Sequence, residues 1–340
     1  MDRIGSSKPA RVTIHSVAAA AGVSKSTVSR ILNESPPLSE TDTARLVRAA
    51  AADLGYIRDV SAANLRLGRT MTVGVVLAHL TEAVRAIFYE EVAKICNQTG
   101  RFALVAVVDE RPRSDRAAID LLLRQGVDGL IITTAIEGDD LCDELAARKA
   151  PFVLALRTDG RSPSAVGDDE LGGYLATRHL LDLGHRRIGM ISGPPTISTA
   201  NARVRGFRRA MAEAGLSVDP DRIAPSGFGF ESGSDAALAL MRVAEPPTAL
   251  FAANDTTAIG AMAALARLGL STPGDVSIVG YSDIPIARHL PVPLTTIHAP
   301  YDQIAADALD LLAAGPSLNG DHIRLSAPTL VVRQSTARLR

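Results

Sequence analysis

Residues 14–33 read IHSVAAAAGVSKSTVSRILN, and their apolar and small residues fall where two short helices joined by a tight turn need them. Val17, Ala18 and Ala21 form the inner face of a first helix, Gly22 supplies the positive φ that ends it, and Val28 and Ile31 face inward from a second. Ser24 stands at the N-cap of that second helix. The exposed remainder, Lys25, Ser26, Ser29 and Arg30, is a set of donors able to reach phosphates or base edges in a DNA major groove. An Ala-rich helical hairpin with a solvated outer face fits the same residues, so the motif alone leaves both readings open.

Working outward, Ser39 with Asp42 three residues later reads as a capped helix start, and Leu46, Val47, Ala50 and Leu54 supply an apolar stripe that Gly55 stops. A three-helix head therefore ends near Tyr56. Next comes DVSAANLRLGRT, residues 59–70, small residues around Leu65 in a stretch too short to hold a helix alone; a helix here needs a partner chain or DNA.

From Val73 onward, short β-branched runs alternate with amphipathic stretches, the pattern of a parallel α/β sheet. VGVVL (73–77), FALVAVV (102–108), GLIITT (129–134), FVLAL (152–156), IGMIS (188–192), ALFAA (249–253) and VSIVG (276–280) read as buried strands. Helical spacing recurs at 115–125, 201–214, 231–243 and 256–268. About ten strand candidates exceed one common sheet, so two lobes are expected.

Charge is unevenly placed. Residues 1–70 carry ten Lys/Arg against six Asp/Glu, whereas the remainder carries 26 against 31. A basic head on an acidic body suits a chain whose head meets phosphates. Aromatic content is 4% with no Trp, which disfavours base stacking as the binding mode. No run of 18 uncharged apolar residues exists and the N-terminus lacks a secretory core, so a cytoplasmic protein without a membrane span is expected.

Enzyme chemistry finds no footing. There is no zinc-helix spacing, nucleophile elbow or phosphate loop, and Cys96 and Cys142 read as reduced core residues. GFGFESG (227–233) misses the dinucleotide spacing and reads as a loop. His185, after Gly184, reads as a structural histidine beyond a capped helix end. Asp168 and Asp169 read as N-cap and first-turn acid of a helix at 170–183. No cofactor and no metal are expected.

VTIHSVAAAAGVSKSTVSRILN, DLGY, LRLGRT, HLLDLGHRRIGMISG (179–193), RVRGF (203–207), PTALFAANDTTAIGAM (247–262), DVSIVGYSDI (275–284), PLTTI (293–297) and LVVRQST (330–336) follow one another from Val12 to Thr336. In this order they resemble the signature segments of the LacI/GalR (lactose-repressor) family of transcriptional regulators. The resemblance implies an α plus α/β fold: a helix-turn-helix DNA-binding headpiece (1–58), a hinge helix in the linker 59–70, and a two-lobed, periplasmic-binding-protein-like body (71–340) for effector binding and dimerisation. It implies a homodimer, a repressor, on a palindromic operator, controlled by a small carbohydrate or sugar acid in a cleft between the lobes. Ligands of open α/β sheets sit beyond strand C-termini, here the loops at 78–85, 157–162, 193–203, 254–256 and 281–285. A solute-binding protein of a transport system is the alternative; the basic head and the missing signal oppose it. The chain stops soon after RQST without a heptad helix, so a dimer and not a tetramer is expected.

Residue by residue, the resemblance puts Thr13, Ser24, Lys25, Ser26, Thr27, Ser29, Arg30, Asn33 and Leu65 against DNA, Leu65 as a minor-groove wedge. Arg58, Asp59 and Ala63 depart from the usual hinge pattern. The effector set is His79, Glu82, Arg85, Arg157, Arg203, Phe228, Asn254 and Ser282. Arg203 matches an arginine that grips ligand oxygens. Asn254 can bind ligand and Asp255 cap the next helix, and the sequence does not separate these roles. Glu82-Ala83-Val84-Arg85 replaces an Asn-Pro-aromatic-aromatic segment, and Ser282 replaces an acidic ligand contact. Arg85, Arg157 and Arg203 together point to an anionic effector such as a sugar acid.

Overall fold

The computed structural model describes residues 12–32, 38–56, 70–109, 113–315 and 322–339, and the chain divides after Arg69 into two compact units. Among the described residues, the first unit holds α1 (Ile14–Ala21), α2 (Lys25–Leu32) and α3 (Asp42–Asp53). Gly22 takes φ +63° to end α1, and the Ser24 hydroxyl accepts from the Thr27 N–H at 3.1 Å to cap α2. Val17, Ala18, Ala21, Val28 and Ile31 close a small core with Ala44, Val47 and Ala51 of α3.

Two expectations for α3 are corrected. Its N-cap is Thr41, whose Oγ1 accepts from the Ala44 N–H at 3.3 Å; the Ser39 carbonyl instead accepts from Arg48 at 2.7 Å. Its buried stripe is Ala44, Val47 and Ala51, and Leu46 is left 52% exposed. Short helices meeting at alanines approach closely, and Leu46 lies about 100° around the helix from Val47. Asn33, and the linker with Arg58, Asp59, Ala63 and Leu65, lie outside the described residues.

The second unit contains two six-stranded sheets. The first has the order β11-β5-β4-β3-β1-β2, all parallel, from β1 (Thr72–Ala78), β2 (Phe102–Val108), β3 (Gly129–Ile132), β4 (Phe152–Ala155), β5 (Ser164–Gly167) and β11 (Ile323–Ser326). The second has the order β12-β10-β9-β8-β6-β7, from β6 (Ile188–Ser192), β7 (Ile223–Pro225), β8 (Ala249–Ala252), β9 (Ser277–Ser282), β10 (Thr295–His298) and an antiparallel β12 (Thr329–Val331). Helices α4 (Ala83–Gln98), α5 (Ser114–Arg124), α6 (Leu141–Ala147), α7 (Asp169–Asp182), α8 (Ser198–Glu213), α9 (Phe230–Leu240), α10 (Asp255–Arg267) and α11 (Tyr301–Ala314) connect and cover them.

β1 is apolar and buried almost throughout, as a parallel strand covered on both faces must be. FALVAVV is different: β2 is an edge strand with Phe102 66% exposed, because it has one neighbour and incomplete cover. GFGFESG is also not only a loop, since Phe230–Gly233 forms the first turn of α9. Strands β5, β7, β10, β11 and β12 carry too short an apolar run to stand out in sequence.

The chain passes between lobes three times: from β5 into α7, from β10 into α11, and from β11 to β12. α7 and α8 lie in backbone contact in the second lobe. A Cβ on Gly206 would collide with the Glu170 carbonyl, and one on Gly173 with the Arg203 carbonyl, so the two glycines set the separation that brings Arg203 to the start of α7.

Candidate functional site

A cavity of about 650 Å³, including its open mouth, lies where the crossovers meet the C-terminal ends of the central strands. Glu82, Arg85, Arg157, Arg203, Phe228, Asn254 and Ser282 line it together, so seven of the eight effector residues named from sequence converge. His79 does not: it is exposed on the turn after β1, where its carbonyl accepts from the Glu82 N–H at 3.0 Å.

In the first lobe, Arg85 sits in the first turn of α4, buried, with Nη1 donating to the carbonyl of Ala78 at the end of β1 and Nε 3.2 Å from the Glu82 carboxylate. In the second lobe, Arg203 is held more tightly. Its Nε donates to Asp169 Oδ1 at 2.8 Å, Nη2 is 2.7 Å from the same oxygen, and Nη1 donates to the Ala253 carbonyl at 2.5 Å. The guanidinium carbon lies 3.6 Å from the centroid of the Tyr281 ring. Arg203 is therefore pre-oriented before any ligand arrives. Burial pushes the Asp169 carboxyl upward, and the neighbouring guanidinium opposes that shift.

The helix cap is Asn254 and not Asp255 as the sequence offered, and Asn254 lines the cavity as well. Asn254 caps α10, its Oδ1 accepting from Thr257 N–H at 2.7 Å, while its Nδ2 donates to the Phe228 carbonyl and so fixes that aromatic wall. Asp255 is fully buried, accepting from the Ile284 N–H at 2.8 Å and the Thr296 hydroxyl at 2.5 Å, and it ties the loop after Ser282 to the sheet. Burial raises its pKa to about 7. Asp168 is the N-cap of α7, accepting from Leu171 N–H at 2.9 Å, and His185 is structural, held by Thr248 and the Ala337 carbonyl.

Leu156 and Ser282, at the ends of β4 and β9, have φ of +63° and +113° and both line the cavity. Such backbone costs about 1–3 kcal/mol per residue and persists where surrounding structure enforces it. Polar lining residues that the sequence reading does not place in the site include Asp169, which reads only as a first-turn acid, and Tyr301 and Thr133, which follow strands without a motif of their own. The signal for Asp169 was its pairing with Asp168, of which one carboxylate suffices as a cap.

In the head, Lys25, Ser26 and Arg30 are exposed and Thr27 and Ser29 half-buried. The Ser24 hydroxyl is 2.8 Å from that of Ser26 and 2.9 Å from that of Thr27. Thr13 occupies the N-cap of α1, its N–H donating to Ser16 Oγ at 3.3 Å. Ser24, Lys25, Ser26 and Thr27 make a group of donors at the N-terminal end of α2, the end whose unpaired N–H groups favour anions, while Arg30 lies in the last turn of α2 and Thr13 at the start of α1. Among the described residues no His/Cys/Asp/Glu group is arranged to hold a metal, and no helix is long and apolar enough to cross a membrane.

Residues 13–59 match the family described as bacterial regulatory proteins, lacI family, and residues 177–336 match the periplasmic binding protein-like domain. The HTH-type transcriptional repressor PurR of Photobacterium profundum is 33% identical over 333 residues, covering 96% of this chain and 99% of that protein. PurR of Pasteurella multocida is 33% identical, covering 88% and 90%. Among solved structures, the lac repressor dimer bound to operator and the anti-inducer ONPF superposes with a TM-score of 0.84 at 29% identity, covering 97% of this chain and all of that one. The transcriptional regulator CelR in complex with cellobiose gives 0.71 at 28%, covering 96% and 100%.

Proposed function

Since the chain belongs to the lacI family of bacterial regulatory proteins, we propose that the interlobe cavity is its effector site and the N-terminal part of α2 its base-reading surface. The protein is a sequence-specific DNA-binding transcriptional regulator that works as a homodimer under the control of a small molecule, and it is not an enzyme. We place it in the cytoplasm, with the DNA. A transport role is set aside, because residues 13–59 match a regulatory head.

The observation that carries the assignment of the cavity is its position at the crossovers, between Arg85 of one lobe and Arg203 of the other. A ligand touching both lobes has different affinity for open and closed arrangements, and so shifts their populations. The linker would pass that shift to the head, with operator affinity changing by the same factor as effector affinity. The effector class that suits this lining is a small polar molecule, a carbohydrate or sugar acid, because guanidinium groups of Arg85, Arg157 and Arg203 and carboxylates of Glu82 and Asp169 line it.

The test begins with selection of DNA fragments by the purified protein, followed by gel shifts with sugars and sugar acids added. The expected result is a two-fold-symmetric site whose affinity changes at least tenfold with one of these ligands in the wild type and not in Arg203→Ala. Binding without sequence preference, or an undiminished response in Arg203→Ala, would count against the assignment.

A further inference from the structure

Among the described residues, three hydrogen bonds run directly from one lobe to the other, apart from the chain crossovers. Glu137, in the loop after β3, donates its N–H to the Thr196 carbonyl at 3.2 Å and accepts at Oε2 from Asn201 Nδ2 at 3.2 Å. Thr158, in the loop after β4, donates its N–H to Ser198 Oγ at 3.1 Å. The second-lobe groups belong to the loop after β6 and the first turn of α8. Asn201 is held in place within its own lobe, because its Nδ2 also donates to the Pro195 carbonyl at 2.8 Å.

These contacts adjoin the cavity lining. Arg157 precedes Thr158, Thr199 follows Ser198, and Arg203 stands two positions after Asn201 on α8; all three line the cavity. The joined residues are themselves exposed or half-buried. A hydrogen bond traded against water in such a place changes a population only a few-fold. Closure held by a small set of them is one that a ligand can add to and that opens without one.

We propose that Glu137, Thr158, Ser198 and Asn201 form a polar clasp that holds the lobes together beside the cavity and presets the balance of closed and open arrangements. Asn201 and Ser198 are positioning residues, acting on the cavity through Glu137 and Thr158. The regulatory part rests on reading the cavity as the effector site. A ligand that touches both lobes favours the same arrangement as the clasp, so loss of the clasp shifts operator affinity in the direction opposite to such a ligand.

The test follows amide hydrogen exchange of the full chain by mass spectrometry, in the segments containing Glu137 and Thr158, together with ligand-free gel shifts on the selected operator. Asn201→Ala removes a contact to Glu137 and none to Thr158, whereas Ser198→Ala removes the contact to Thr158 and none to Glu137. In a clasp that opens as a unit, each variant speeds exchange in both segments, the remote one included, by about two- to tenfold. Glu137→Gln keeps an acceptor oxygen and should stay near the wild type. Operator affinity should move in the same direction in both alanine variants, by about twofold or more. Exchange that quickens only in the segment whose contact was removed overturns the clasp, since the bonds then act separately. Faster exchange in both segments with unchanged operator affinity overturns its regulatory role, and the Arg203→Ala gel shift decides separately whether the cavity is the effector site.

Discussion

Asp169 Oδ1 lies 2.7 Å from Arg203 Nη2 although the two residues are 34 positions apart, on helices held in backbone contact by Gly173 and Gly206. Neither charge is stable there alone. The desolvation of each is offset by the other, and that of Arg203 also by the Ala253 carbonyl and the Tyr281 ring.

Arg203→Ala is therefore expected to lower folding stability by about 3–5 kcal/mol, the cost of stranding one partner of a buried pair. Denaturant unfolding measures it. The double variant Arg203→Met, Asp169→Leu should recover most of the loss. A single variant as stable as the wild type would mean that the pair is hydrated in solution.

Gly206→Ala should destabilise even though alanine is the better helix former by about 1 kcal/mol. The added methyl meets the Glu170 carbonyl, and overpacking of this kind costs about 1–3 kcal/mol or more. A fall in melting temperature is expected. A rise would show that α7 and α8 separate easily.

Asp255 gives a pH dependence of defined sign. Its folded pKa of about 7 is above the unfolded value, so its contribution to stability is fully present below about pH 4 and is lost as pH rises through 7, at up to about 1.4 kcal/mol per unit. His179 and His185, both lowered by burial, act oppositely and withdraw stability as pH falls below about 6.5. Asp255→Asn isolates the carboxyl, since an amide can replace the protonated form. Its stability relative to the wild type should increase between pH 5 and pH 8, and a constant difference would place the titration elsewhere.

Arg30→Ala is expected to cost about 1–3 kcal/mol on the selected operator and less on random DNA, whereas Lys25→Ala weakens both if it meets phosphate and reduces the salt slope by about 1. Gel shifts at several salt concentrations separate the two. Equal losses for Arg30→Ala on both DNAs would reassign it to the backbone.

How much of this was readable in advance follows from the range of the forces involved. The turn at Gly22, the cap at Ser24 and the β1 run are local effects of φ freedom, short polar side chains and period, so sequence alone determined the head and the alternating body. Seven of the eight residues proposed for the effector, named by resemblance and not by geometry, line one cavity. Tertiary structure decided the rest. Whether Leu46 or Ala51 is buried depends on which side the other helices approach, and whether FALVAVV is central or at an edge depends on strand order. Asn254 and Asp255 are adjacent and chemically alike, yet one caps a helix and the other is buried beneath Ile284 and Thr296, because successive residues of a helix start point in different directions. Asp169 acquired its partner only when two glycines let the helices meet, a contact between distant segments on which no local pattern bears.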